Sequence, residues 1–281
     1  MLRIVTDGAV DIPSEWNEEF DINRIPINVH FGEKTYLQDV ELDLEGFYKL
    51  VDNKNSVFPK TSQPSPHQFV EYYKKIAQEG DTILSIHITS KLSGTYASAV
   101  IAAEEAKGMF NVIPVDTLGG TMGTGFMCRA ARQMDRAGKS PEEIVRHIEA
   151  IRGKVQVILT LDTLEYARRS GRVGAFSAAL ASILNVKPIA LLKDGVIEMV
   201  DKVRTRKAAL KRILEMAQQA YGDQPVYLAV VHARDLASGQ ALMEEAKKRF
   251  NVKDAFLTDL SISLAINFGP GTVGLVLYPA E

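Results

Sequence analysis

Cysteine is all but absent from this chain. Cys128 is the single one among 281 residues, which excludes an internal disulfide and a cysteine-built metal cage. There is no excess of charge of either sign. The net charge of −2 gives no global reason to expect nucleic acid as a partner. No apolar run is long enough to span a bilayer. The N-terminal stretch Met1-Leu2-Arg3-Ile4-Val5 enters a strand pattern directly, without the layout of a signal peptide. The expectation is a cytoplasmic protein with no transmembrane segment. Signatures of catalysis are missing too. The five histidines (His30, His67, His87, His147, His232) have no metal-ligand spacing and read as strand or surface residues. No Gly-x-Ser-x-Gly elbow occurs. Asp7 and Asp116, each at a strand end, could form an acid–base pair. Aspartates at such junctions more commonly satisfy backbone N–H groups. Cys128 falls in an apolar helical stretch and reads as buried and inert. The expectation is a protein that is not an enzyme and needs no metal or cofactor.

What remains is an ordinary globular composition, 46% hydrophobic and 24% charged, with length enough for two domains. Residues 1–153 read as strands alternating with helices. Strands are expected at Leu2–Thr6, Ile25–His30, Thr82–Ile88 and Asn111–Val115, with a hairpin through Gly32-Glu33. Capping boxes begin helices at Ser65-Pro66-His67-Gln68 and Ser140-Pro141-Glu142-Glu143. This pattern implies an α/β domain with a largely parallel sheet. A second α/β unit, residues 154–281, carries the strongest hairpin signal, Asp194-Gly195 between Pro188–Lys193 and Val196–Val203. It reads as a mixed sheet with helices. No linker separates the two units, so they are expected to pack closely.

Four places could carry chemistry. Thr61-Ser62-Gln63-Pro64-Ser65-Pro66 has hydroxyls beyond what its helix cap requires; alone it reads first as a well-capped loop, and otherwise as a stiff loop that offers Thr61 and Ser62 to a ligand. Thr89–Tyr96 places Ser93 before a helix starting near Gly94, where Ser93 is either a plain N-cap or part of an anion site, since unpaired N–H groups and the positive end of the helix dipole suit a carboxylate or phosphate. Gly119–Gly125 lacks the lysine of a phosphate loop, so its glycines read as permitting close helix packing. Asn267-Phe268-Gly269-Pro270-Gly271-Thr272 reads as a tight turn with Asn267 free to point into a site. Arg168, Arg169, Arg172, Arg204 and Arg206 form a basic concentration, either a solvated face or a site for a phosphate-bearing ligand or acidic partner.

Taken in order, these segments resemble the DegV family, which includes the bacterial fatty acid-binding (FakB-type) proteins. The resemblance is carried by Thr6-Asp7-Gly8-Ala9-Val10-Asp11-Ile12, Thr61-Ser62-Gln63-Pro64-Ser65 and Leu92-Ser93-Gly94-Thr95-Tyr96. It continues through Ser170-Gly171-Arg172-Val173 and Val186-Lys187-Pro188-Ile189 to Gly269-Pro270-Gly271-Thr272. It implies two packed α/β domains with a long-chain fatty acid between them. The carboxylate would be held by Thr61, with Ser62, Gly94 and Asn267 beside it, and by Ser93. The acyl chain would be walled by the uncharged Gly174–Leu184 segment and the Phe126-Met127 region, for both of which core packing is the alternative. Family members often carry a histidine where this chain has Asn267, which can still hydrogen-bond but cannot become cationic. The resemblance also implies a possible fatty acid kinase as partner, with Arg172 and Arg204 docking it or steadying an acyl phosphate. The rival reading is a small-molecule phosphotransferase related to dihydroxyacetone kinases.

Overall fold

The computed structural model describes residues 1–53, 56–172 and 186–280. Near the N-terminus, β1 (Leu2–Asp7) pairs in parallel with β2 (Ile22–Ile25). With β6 (Thr82–His87) and β7 (Asn111–Asp116) they form an all-parallel sheet ordered β2-β1-β6-β7. Ile4, Val5, Ile83, Leu84 and Ile86 are fully buried, as a parallel sheet covered on both faces requires. One face packs against α3 (Pro66–Ile76) and α4 (Thr95–Glu105) through Phe69, Val70, Tyr73, Ala99 and Ala102. The other face packs against α5 (Thr121–Arg136) through Met122, Phe126 and Met127.

The second sheet has six strands: β8 (Gln156–Thr160), β9 (Lys187–Lys193), β10 (Val196–Val203), β11 (Pro225–His232), β12 (Asn251–Asp259) and β13 (Val273–Pro279). Their order is β10-β9-β8-β13-β11-β12, parallel between β11 and β12 and antiparallel elsewhere. Helices α8 (Arg206–Tyr221) and α9 (Leu236–Arg249) cover one face. The other face meets α5, so one helix lies between the two sheets. The glycine run makes that sandwich possible. A Cβ on Gly123 would sit 3.1 Å from Val155 and 3.3 Å from Val157, and one on Gly125 would strike Ile12. These glycines serve close packing, as their sequence context implies. At the hairpin tip Asp194 and Gly195 both take positive φ, 49° and 81°, the conformation of a type I′ turn.

Two expectations need correction. The segment 25–30 is not one strand. It divides at Pro26-Ile27 into the end of β2 and the start of β3 (Asn28–Phe31), which belong to different sheets. Proline has no N–H for a ladder and breaks the run. Nor is Thr61-Ser62 a loop. Lys60–Ser62 is a short strand, β5, paired antiparallel with β3, whose other edge carries β4 (Lys34–Leu37). Both capping boxes form as expected, Ser65 with Gln68 and Ser140 with Glu143. Among the described residues no helix is long and apolar enough to cross a membrane, and no cluster of His, Cys, Asp or Glu could hold a metal.

Candidate functional site

A cavity lies where the two sheets approach each other, with an empty volume of about 860 Å³ that is partly open to solvent. Its walls are mostly aliphatic: Ile27, Ile88 and Leu92 come from the first 153 residues, and Val157, Leu159, Leu192, Ile197, Leu260 and Leu264 from the rest. Polar groups converge on it from separate elements. Thr61, Ser62 and Gln63 arrive on and just after β5, Ser93 on the loop before α4, Thr121 at the start of α5, and Ser263 and Asn267 on α10 (Ile262–Phe268), which packs against β5. Arg172 is the only charged side chain among the described lining residues.

These polar groups are not equally free. Among the described residues the Thr61 hydroxyl has no hydrogen-bond partner, so it is available to a ligand. Ser62 Oγ lies 2.9 Å from His30 Nε2. Ser93 Oγ lies 2.8 Å from Thr95 Oγ1 and accepts from the Thr95 N–H at 3.3 Å. Thus Ser93 serves the first turn of α4 while retaining hydrogen-bonding capacity. Gly94 does not line the cavity. A Cβ there would come within 2.7 Å of Gln63 Nε2, so Gly94 lets the Gln63 side chain press against the start of α4. Asn267 donates from Nδ2 to the Ser263 carbonyl at 2.7 Å, and its buried Oδ1 has no partner.

Two side chains from the N-terminal part of the chain hold α10 in place. Asp11 accepts the Ser261 N–H at 2.7 Å and the Thr121 hydroxyl. Buried Gln38 donates to the Gly8 carbonyl at 2.6 Å and accepts the Ser263 N–H at 3.0 Å. Residues from the N-terminal strands thereby position the helix that carries Ser263, Leu264 and Asn267 to the cavity. Thr121 itself sits at φ 48°, a strained conformation for a β-branched residue. Its bond to Asp11 helps hold it there.

Burial raises the Asp11 carboxyl from 3.8 to about 6, against the lowering effect of its bonds to Thr121 and Ser261. The folded chain therefore binds this proton more tightly than the unfolded chain. Asp11 favours folding most at acid pH, below about 4, and that contribution is lost as pH rises through about 6. In Asp11→Asn this dependence is expected to disappear. The difference between variant and parent in unfolding free energy should change by about 2–3 kcal/mol between pH 4 and 7, read from urea titrations. Parallel curves would remove Asp11 as the titrating group.

The acid–base pair does not form. Asp7 accepts from the Ala9 and Ile88 N–H groups at 3.0 and 3.2 Å, and from His87 Nδ1 at 2.9 Å. His87 Nε2 continues to Ser85 Oγ at 2.7 Å, and Ser85 to Tyr73 at 2.8 Å. The order resembles a catalytic triad, but Asp7, Ser85, His87 and Tyr73 are all fully buried, and none of them lines the cavity. Asp116 accepts from the Ser90 and Leu118 N–H groups. Both aspartates satisfy backbone donors, and burial pushes the Cys128 thiol up to about 12.

Phe126 and Met127 are not cavity walls. They are core residues, and Phe126 packs among Trp16, Tyr227, Phe256 and Tyr278. Segment 174–184, the other candidate wall, lies outside the described residues. The basic concentration does not act as one patch. Arg169 pairs with Glu165 and stacks on Phe58, while Arg206 pairs with Asp235 and holds the Gly271 carbonyl. Arg172 reaches the cavity, and Arg204 is exposed. Sequence reasoning missed Gln63, Gln38, Asp11 and His30. Gln63 stood inside a recognised segment. Asp11 stood inside the recognised Thr6–Ile12 segment without being singled out, and Gln38 and His30 had no signal beyond being polar residues in or beside strands.

Two layered sheets around an internal apolar cavity rimmed by hydroxyls define the class, an α/β protein with a built internal site. The chain belongs to the DegV family, whose model, described as an uncharacterised protein family, matches residues 1–280. Protein DegV of Bacillus subtilis is 32% identical over 276 residues, 98% of each chain. A DegV domain-containing protein of Streptomyces coelicolor is 34% identical over 278 residues, again 98% of each. Among solved structures, a DegV family protein from Thermus thermophilus, described for its fatty acid binding, is similar with a TM-score of 0.92 at 31% identity over 99% of each chain. DegV of Bacillus subtilis, described as a fatty acid binding protein, gives 0.86 at 30% identity over 99% of each. A stearic acid-binding protein from Eubacterium ventriosum gives 0.89 at 26% identity, over 99% of this chain and 98% of the other.

Proposed function

We propose that this protein is a non-enzymatic, cytoplasmic carrier that binds one long-chain fatty acid, such as palmitate, in the cavity between two domains, residues 1–153 and 154–281. The observation that carries the reading is an aliphatic cavity with the free Thr61 hydroxyl and Ser93 among its lining residues. A carboxylate accepts hydrogen bonds only, and hydroxyls are its natural neutral donors. Asn267 lines the same cavity; one of its two Nδ2 hydrogens goes to the Ser263 carbonyl, which leaves the other as a further donor. Burying an acyl chain of about sixteen carbons at roughly 0.8 kcal/mol per methylene gives a gross driving force on the order of 12 kcal/mol, comparable with the cost of immobilising it. The solved relatives described as fatty acid-binding support the same ligand class.

Presentation of the bound acid to a fatty acid kinase extends this reading. Arg172, cationic at the cavity, is suited to a carboxylate or acyl phosphate. Arg204, exposed and without a partner among the described residues, is suited to docking. The phosphotransferase alternative calls for a histidine reaching substrate, and none of the described lining residues is one. The test is titration of delipidated protein with palmitate by calorimetry. The expected result is one site per chain with affinity that survives high salt, because apolar burial supplies most of it. No measurable heat and no displacement of a fluorescent fatty acid would overturn the proposal.

A further inference from the structure

His30 carries no sequence signature beyond that of a strand or surface histidine, yet its ring joins the cavity to the sheet beneath it. It projects from β3 between its cross-strand partner Thr35 on β4 and Ser62 on β5. Nδ1 lies 2.9 Å from Thr35 Oγ1, and Nε2 lies 2.9 Å from Ser62 Oγ. Ser62 lines the cavity. A neutral imidazole has one N–H and one bare nitrogen, and a hydroxyl has one proton. The direction of each bond in this chain therefore fixes the next. If Nε2 is bare, Ser62 spends its proton on His30 and turns only lone pairs toward the cavity. If Nε2 carries the proton, Ser62 accepts from it, and its own proton is free to point at a ligand. Thr35 then donates to Nδ1.

We infer that His30 is a positioning residue for the head group. It delivers its proton from Nε2 to Ser62 and so makes Ser62 a hydrogen-bond donor to the bound carboxylate, beside Thr61 and Ser93. The inference rests on the fatty acid reading of the cavity and goes beyond it. It assigns a tautomer, a direction and a residue that does not itself touch the ligand. No bond is made or broken. The carboxylate selects the Nε2–H tautomer, because only that tautomer leaves the Ser62 proton uncommitted. It also accounts for Ser62, whose hydroxyl is engaged where that of Thr61 is free.

The test is a double-mutant cycle read by calorimetry with palmitate. Ser62→Ala and His30→Leu are each expected to weaken binding roughly tenfold, as for loss of one hydrogen bond to a charged group. The double variant should bind no more weakly than either single one, since each removes the same bond to ligand. His30→Gln, whose amide N–H can replace Nε2–H, should stay within about twofold of the parent, a rescue that loss of packing would not allow. Nitrogen-15 spectra of histidine-labelled, palmitate-loaded parent protein should show His30 protonated at Nε2. Multiplicative losses in the double variant, or an Nδ1–H tautomer in the loaded protein, would overturn the inference while leaving the ligand assignment intact. Absence of palmitate binding by the parent would instead overturn the underlying reading.

Discussion

Thr61→Val combined with Ser93→Ala should weaken palmitate binding by roughly two orders of magnitude or more while leaving the fold in place, since each hydrogen bond to a charged group is worth about 1.5–3 kcal/mol. Thr61 is suited to the test. Its backbone pairs with Val29 across β3 and β5, valine is at home in a strand, and the hydroxyl it loses has no partner among the described residues. Removing Ser93 Oγ takes one bond from Thr95 Oγ1 and one from the Thr95 N–H, a stability cost of about 1 kcal/mol at the end of a helix. Calorimetry measures the affinity, and urea unfolding in the absence of ligand should show a cooperative transition with a loss of only about 1 kcal/mol. Parent-like affinity in the double variant would move the carboxylate elsewhere in the cavity, with Arg172 the first place to look.

Arg129→Ala should cost about 3 kcal/mol of stability, one of the larger single-residue effects expected in this chain. Arg129 leaves α5 with its guanidinium 4.5 Å from the Tyr227 ring centroid, 5.1 Å from Trp16 and 5.7 Å from Phe256. Its Nη1 lies 3.2 Å from Asp254. The side chain thus joins the helix α1 (Glu15–Glu19), which carries Trp16, to strands β11 and β12 of the six-stranded sheet. Cation–π attraction is strongest when desolvated, and this residue is only 9% exposed. Truncation would also leave a gap among these three rings and that of Phe20, 5.8 Å from the guanidinium. Arg129→Lys should recover only part of the loss, because an ammonium cannot stack as a planar guanidinium does. Chemical unfolding measures both. A cost under about 1 kcal/mol for the alanine variant would show that the rings repack without the cation.

Features governed by neighbours along the chain are legible in the sequence itself. The capping boxes at Ser65 and Ser140 and the Asp194-Gly195 hairpin depend on local backbone chemistry, whereas the Gly119–Gly125 glycines signal close packing without naming its distant partners Ile12, Val155 and Val157. Strand β5 is not legible, because three residues carry no periodicity and its partner β3 lies far upstream. The run 25–30 misleads because its alternation persists across Pro26, although the chain changes sheets there. The segments bearing Thr61 and Ser93 stand out through their surplus of hydroxyls. That both line one cavity depends on how β5 and the loop before α4 meet in three dimensions. His30 and Ser62 are 32 positions apart, and Asp11 and Ser261 are 250 apart. No local pattern couples such pairs. Phe126 and Met127 read equally well as tunnel wall or core, and only their burial among aromatic rings decides for the core.

The central claim is that the cavity holds a fatty acid. The most direct measurement is native mass spectrometry of the protein as purified from a bacterial host, followed by lipid extraction and identification of what is released. The account predicts one C16–C18 fatty acid per chain, lost in the Thr61→Val, Ser93→Ala variant. Protein that comes through purification empty, and remains empty after incubation with palmitate, would contradict it.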